Sequence, residues 1–157
     1  MGRFAVFVVA FGLFIGFIMP SGRPKPAPVS TSTSNAGEVT LTRGSTGHFY
    51  TDAKVNDRAD LHFLVDTGAT TVALTMDDAR ALGIEVNPAD FDVVGEGVGG
   101  EVRGKSVVLD SIQIEGGRKV EKVEAVILEK SDLSLLGQTF LARMDQVQMS
   151  GDYLTMK

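Results

Sequence analysis

Cysteine is absent from this 157-residue chain, which removes disulfides and thiol catalysis while leaving the compartment open. Histidine is nearly absent. His48 and His62 are the only two, and neither has a cysteine or a His-x₃-His partner, so no metal site is expected. The Gly44-Ser45-Thr46-Gly47-His48 stretch lacks the Gly-x-Ser-x-Gly order of a nucleophile elbow. Proline is confined to the first part of the chain, apart from Pro88. Acidic residues are missing before Glu38, where Arg3, Arg23 and Lys25 carry the only charges. From Glu38 onward twelve basic residues face twenty acidic ones, a net charge of −8 with no basic stripe. Such a domain is not built for nucleic acid. No internal repeat is present, and the length holds one domain and a tail.

What is there begins with sixteen consecutive apolar or glycine residues at positions 4–19. As a helix they would span roughly 24 Å, slightly less than a hydrocarbon core of ~30 Å. A secretory signal has similar anatomy, but no Ala-x-Ala-like cleavage site follows, so an uncleaved transmembrane anchor over 1–19 is favoured. Arg3 stands on one side of the run and Arg23 and Lys25 on the other, so flanking charge does not set its orientation. Residues 20–37 read as a linker, stiff where Pro20, Pro24, Pro26 and Pro28 fall and loose through the Ser/Thr-rich 30–35. The folded domain is expected over 38–157.

That domain reads as mostly β. Strands are predicted at 38–42, 49–55, 61–65, 71–74, 91–94, 105–115, 120–128, 145–150 and 153–156. Turn signals lie at Asn56-Asp57, Gly116-Gly117 and Gly151-Asp152. Apolar alternation in 105–115 runs through Val107 and Leu109, then shifts phase to Ile112 and Ile114, which predicts a bulge or bend. A short helix is predicted at 76–82, with Thr75 and Asp78 as its cap and Gly83 as its stop. A second follows Gly137 to about residue 143. Asp77-Asp78 and Asp90-x-Asp92 read as capping and solvated loop residues rather than a cation site.

The most informative stretch is Phe63-Leu64-Val65-Asp66-Thr67-Gly68-Ala69-Thr70-Thr71. One β-prone run delivers an aspartate, a hydroxyl residue and a glycine into a turn, and a second run leaves it. It resembles the Asp-Thr-Gly signature of pepsin-type and retroviral-type aspartic proteases. A second feature of that family is an apolar-apolar-Gly motif before a short helix, matched by Leu135-Leu136-Gly137. Between them, Gly95-Glu96-Gly97-Val98-Gly99-Gly100 fits G-x-G-x-x-G, but the β-branched, glycine-punctuated sequence after it lacks the helix a dinucleotide fingerprint requires. It reads instead as a hairpin tip with Gly99-Gly100 as the turn, at the place of the family's flap. The chain departs from many viral members after Leu-Leu-Gly, where Gln138-Thr139 replaces Arg-Asn.

Over about 41–156 the chain resembles the bacterial retropepsin-like aspartic proteases. The resemblance implies a small closed all-β acid-protease barrel with one or two short helices, behind an N-terminal transmembrane helix. It implies Asp66 as the catalytic carboxylate, with Thr67, Gly68 and Ala69 supporting the loop and Leu135, Leu136 and Gly137 packing beside it. Val98, Gly99 and Gly100 would be the flap that holds an extended peptide. One Asp-Thr-Gly per chain points to a homodimer sharing two carboxylates. The implied activity is a cofactor-free aspartic endopeptidase at the cell inner membrane, single-pass, facing the periplasm. A catalytically silent dimeric scaffold or peptide-binding module remains open. An unrelated β-barrel receptor domain on a stalk does not account for the ordered motifs.

Overall fold

The computed structural model describes residues 31–33, 37–97 and 100–157. The expected anchor over 1–19 and, apart from 31–33 and 37, the linker expected over 20–37 lie outside the described residues. Among the described residues no helix is long and apolar enough to cross a membrane.

Eleven strands and two short helices are described: β1 (Thr31–Thr33), β2 (Val39–Thr42), β3 (Tyr50–Val55), β4 (Ala59–Val65), β5 (Val72–Leu74), α1 (Met76–Ala81), β6 (Asp92–Gly97), β7 (Gly100–Ile114), β8 (Lys119–Leu128), β9 (Ser134–Leu136), α2 (Gln138–Leu141), β10 (Val147–Ser150) and β11 (Tyr153–Met156). Strands β3-β4-β9-β5-β8-β7 pair in that order and β7 pairs back with β3, closing a barrel. The β6–β7 hairpin projects from it, and β1-β2-β11-β10 form a second sheet. This is the all-β small barrel with two short helices that the pattern predicts.

The alternation of each strand dictates the closure. Ala53, Val55, Leu61, Phe63, Val72, Leu74, Leu109, Val123, Ala125, Ile127 and Leu136 are buried in one core with Leu41, Leu154 and Met156 from the smaller sheet. The phase shift in β7 is where the barrel turns its corner. Leu109 pairs Val123 and Ser111 pairs Glu121, while the intervening Asp110–Lys122 pair drops out of the ladder. Lys122 takes a positive φ of 52°, and Asp110 meets its ammonium at 3.1 Å. Beyond that kink Ile112 and Ile114 point inward and pair with Val55 and Ala53 of β3. One strand thereby serves two neighbours.

Helix α1 is held as its sequence dictates. Thr75 Oγ1 accepts from Asp78 N at 3.1 Å, and Gly83 at φ 70° ends the helix. Arg58 Nη1 donates to Leu82 O at 2.7 Å, satisfying a terminal carbonyl.

Several features differ from the sequence reading, among them a β7 that begins at Gly100 rather than 105. Thr31–Thr33, expected in the loose part of the linker, pairs antiparallel with β2, whose edge offers unpaired amides and carbonyls to a β-branched neighbour. Ser134–Leu136, of which the sequence pattern singles out only Leu135 and Leu136 as part of a motif, is a strand. A 3₁₀ turn at Pro88–Asp90, not predicted, precedes β6.

Ile112 is wholly buried at the seam where β7 meets β3. Ile112→Ala is expected to lower unfolding free energy by about 2–5 kcal/mol, read from the urea midpoint.

Candidate active site

The loop 66–71 joins β4 to β5, yet these two strands are not neighbours. Strand β9 lies between them, parallel to β4 through Phe63–Ser134, Leu64–Leu135 and Val65–Leu136, and antiparallel to β5 through Leu135–Ala73. The loop must therefore arch over the end of β9, and it is bonded there along its length. Asp66 N donates to Leu136 O at 3.2 Å, Gln138 N to Ala69 O at 2.8 Å, and Thr139 N to Thr70 O at 3.2 Å. Val65 N also donates to Phe49 O at 2.9 Å, which ties the approach to the loop to the start of β3.

Gly137 makes this contact possible. A Cβ at that position would lie 2.8 Å from Ala69 O and closer still to Thr71 O, both of them backbone atoms that cannot swing aside. Residues 135–137 thus sit directly against the Asp-Thr-Gly loop.

Asp66 is half-buried, and Thr67 and Gly68 are exposed. Asp66 Oδ1 accepts from Gly68 N at 2.9 Å, an Asx-type turn that fixes the carboxylate relative to its own loop. Among the described residues Oδ2 has no hydrogen-bond donor, and it is not sealed from solvent. Ala69 is buried in a small apolar cluster with Ala73, Leu128 and Leu135, and Val94 from β6 and Val102 from β7 pack on it. These side chains line a shallow apolar pocket beside the loop, beneath the β6–β7 hairpin.

Of the hairpin residues, Val98 and Gly99 lie outside the described residues. Gly100 is the first residue of β7 and pairs with Gly97, so it belongs to the strand and not to the turn predicted at Gly99-Gly100. Its φ of 107° suits glycine. The local glycines do not select the turn; register does, set by a bulge between Val93 and Gly95 and by the long pairing of β7 with β8. The segment after the glycine run is strand β7, as the sequence pattern predicts, and not a helix.

Sequence reasoning missed several supporting residues. Gln138 Nε2 donates to Thr67 O at 2.7 Å. Thr139 Oγ1 accepts from Val72 N at 2.9 Å and donates to Glu124 O at 2.7 Å. The two residues that depart from the viral pattern therefore brace this chain's own loop. Ser134, buried in β9, accepts from Thr75 N at 3.0 Å and donates to the Asp78 carboxylate, linking β9 to α1. Their only signal was polarity flanking an apolar tripeptide.

The barrel, with a carboxylate on a loop arched over Gly137 at the end of a Leu-Leu strand, has the architecture of the small acid-protease barrels. Residues 51–143 match the family described as gag-polyprotein putative aspartyl protease, and the chain belongs to this retropepsin-like aspartic protease family. It is 32% identical over 123 residues to an uncharacterized protein of Rickettsia prowazekii (strain Madrid E), covering 78% of this chain and 52% of that one. It is 35% identical over 136 residues to an uncharacterized protein in the cobV 5′ region of Sinorhizobium sp., covering 85% and 58%. The chain thus spans little more than half the length of these curated relatives. The crystal structure of a retropepsin-like aspartic protease from Rickettsia conorii superposes with a TM-score of 0.65 at 28% identity, covering 84% of this chain and 95% of that one.

Gly137→Ala is expected to cost about 1–3 kcal/mol, because the loop backbone must move to admit the methyl. A urea midpoint unchanged from the parent would contradict the close approach.

Proposed function

We propose that the chain is a membrane-anchored aspartic endopeptidase, active as a homodimer in which each copy supplies one Asp66. The observation that carries this reading is the half-site itself. A carboxylate with one oxygen fixed and one free stands on a braced loop whose Thr67 and Gly68 are open to solvent. A second copy across a two-fold axis supplies the other carboxylate, and Thr67 and Gly68 are the residues that permit close approach.

The chemistry follows from like charge. Two carboxyls brought together cannot both ionise cheaply, so the pair holds one shared proton. The ionised Asp66 removes a proton from a bound water as its oxygen attacks the peptide carbonyl carbon. The partner's Asp66, protonated, donates its proton to the carbonyl oxygen. Collapse of the tetrahedral species returns a proton through the pair to the leaving amine. The substrate lies extended along the β6–β7 hairpin as an added strand, with an apolar side chain in the pocket by Ala69 and Leu135. Hairpin closure through Val98, Gly99 and Gly100 excludes bulk water. Residues 4–19 hold the domain at the inner membrane on the tether that follows, with the domain in the periplasm. That placement rests on the likeness to bacterial retropepsin-like enzymes.

In detergent-solubilised full chain, Asp66→Asn is expected to lower peptide cleavage by about 10²–10⁴-fold. The dimer should persist in sedimentation, since asparagine relieves the repulsion between the carboxyls. Parent activity per chain should fall on dilution as monomer accumulates. Cleavage retained in Asp66→Asn would move the catalytic carboxylate elsewhere, and no parent cleavage with an intact dimer would favour a scaffold.

Reporter fusions after Lys157 test the placement. A periplasm-dependent reporter should be active and a cytoplasm-dependent one silent; the reverse pattern refutes it.

A further inference from the structure

The outer face of the barrel carries one continuous cross-strand row through the candidate site. Tyr50 of β3 pairs Leu64 of β4, Leu64 pairs Leu135 of β9, Leu135 pairs Ala73 of β5, and Ala73 pairs Val126 of β8. The last four belong to the apolar cluster that floors the pocket beside Asp66. Tyr50 is the next position in the same row. The floor of the cleft therefore continues across Leu64 onto the outward face of the β3–β4 hairpin.

What stands there is an aromatic and acidic strip. The rings of Tyr50 and His62 are stacked, with centroids 5.4 Å apart and planes 8° from parallel, and His48 meets Tyr50 edge-on at 6.5 Å. Tyr50 OH is fixed by Thr46 Oγ1 at 3.1 Å. Asp52, directly across from His62, holds His62 Nδ1 at 2.7 Å through Oδ1 alone. The Asp52 side chain is 60% exposed and the His62 ring 28% exposed. One row further, Lys54 and Asp60 pair at 2.9 Å, and Glu115 closes the far end beside Gln113. Three carboxylates, Asp52, Asp60 and Glu115, stand against the Lys54 ammonium, with the imidazoles of His48 and His62 beside them; Lys119, next in the row after Gln113, is taken up by Asp57. No side chain of the strip enters the barrel core.

We propose that this strip is an extension of the substrate cleft that takes a basic side chain, above all arginine, from the bound peptide beyond the residues at the scissile bond. The inference rests on the proteolytic reading of the Asp66 site. A planar guanidinium suits both halves of the strip. It lies against ring faces, where a cation meets the π-electrons, and its fork reaches the outer oxygen of Asp52. An acidic side chain there would face Asp52, Asp60 and Glu115.

The test uses the full chain in detergent and pairs of peptides that differ only by Arg or Glu, moved through each flanking position. At one position Arg is expected to exceed Glu by about tenfold in kcat/KM, a preference carried by KM because the group binds without reacting. In Asp52→Asn and in Tyr50→Leu the Arg/Glu ratio should shrink to under about threefold as one of the two contacts is lost. Because the ratio is taken within each protein, a general loss of activity cancels. A ratio unchanged in both variants, or no position preferring Arg, overturns the proposal. Fluorescence anisotropy of the same labelled peptides on Asp66→Asn reads the strip without cleavage. An Arg preference there that vanishes in Asp66→Asn/Asp52→Asn, with a parent that cuts nothing, would overturn the proteolytic reading and keep the strip. Equal binding of Arg and Glu peptides would remove the strip alone.

Discussion

Everything at this site depends on a three-residue strand wedged between two strands that are consecutive at the loop. Because β9 occupies the gap between β4 and β5, the Asp66 loop has no straight path and must pass over Gly137. A short loop forced over a backbone gains hydrogen-bond partners that an ordinary surface turn would lack. The bonds from Asp66 N, Gln138 N and Thr139 N, together with the Gln138 and Thr139 side chains, fix the loop from beneath. The exposed side is left for Thr67, Gly68 and the free oxygen of Asp66. Rigidity below and openness above are one consequence of the same topology, and the proposed catalytic role of Asp66 draws on both.

The barrel that carries this wedge is closed by a kink rather than by a regular strand. Where Asp110 and Lys122 leave the ladder, β7 rotates its inward face and reaches β3. Without that rotation Ile112 and Ile114 would face solvent and the β3–β4 hairpin would have an open edge. Lys122 is the residue that takes the unfavourable φ, and it does so with a long solvated side chain that meets Asp110. The strain sits on the surface, away from the apolar interior.

Two faces of the same sheet do different work. The inward residues of β4, β5, β8 and β9 build the main core, and their outward neighbours Leu64, Ala73, Val126 and Leu135 build the floor of the cleft. Alternation within a strand thus couples the core to the outer apolar cluster, since each inward residue fixes the height of the outward one beside it. The β6–β7 hairpin roofs this floor with Val94 and Val102. Tyr50 and His62 continue it along the hairpin that feeds Asp66 itself.

Local pattern alone was enough for the strands at 50–55, 119–128 and 153–156 to within a residue, for α1 with its Thr75 cap and Gly83 stop, and for the kink in β7. In each the signal is carried by neighbours in the chain: alternation, a capping hydroxyl, a glycine at positive φ. The Asp66 and Leu135-Leu136-Gly137 motifs were legible as residue types in order. Tertiary structure decided what no local signal holds. It made residues 134–136 a strand, because only β4 and β5 on either side extend so short a segment. It turned Gln138 and Thr139 toward the loop, since the wedge brings residues 71 apart within bonding distance. It placed Gly100 in β7 rather than in the turn, because register is set by pairing over the whole length of β7 and not by the glycines at its tip.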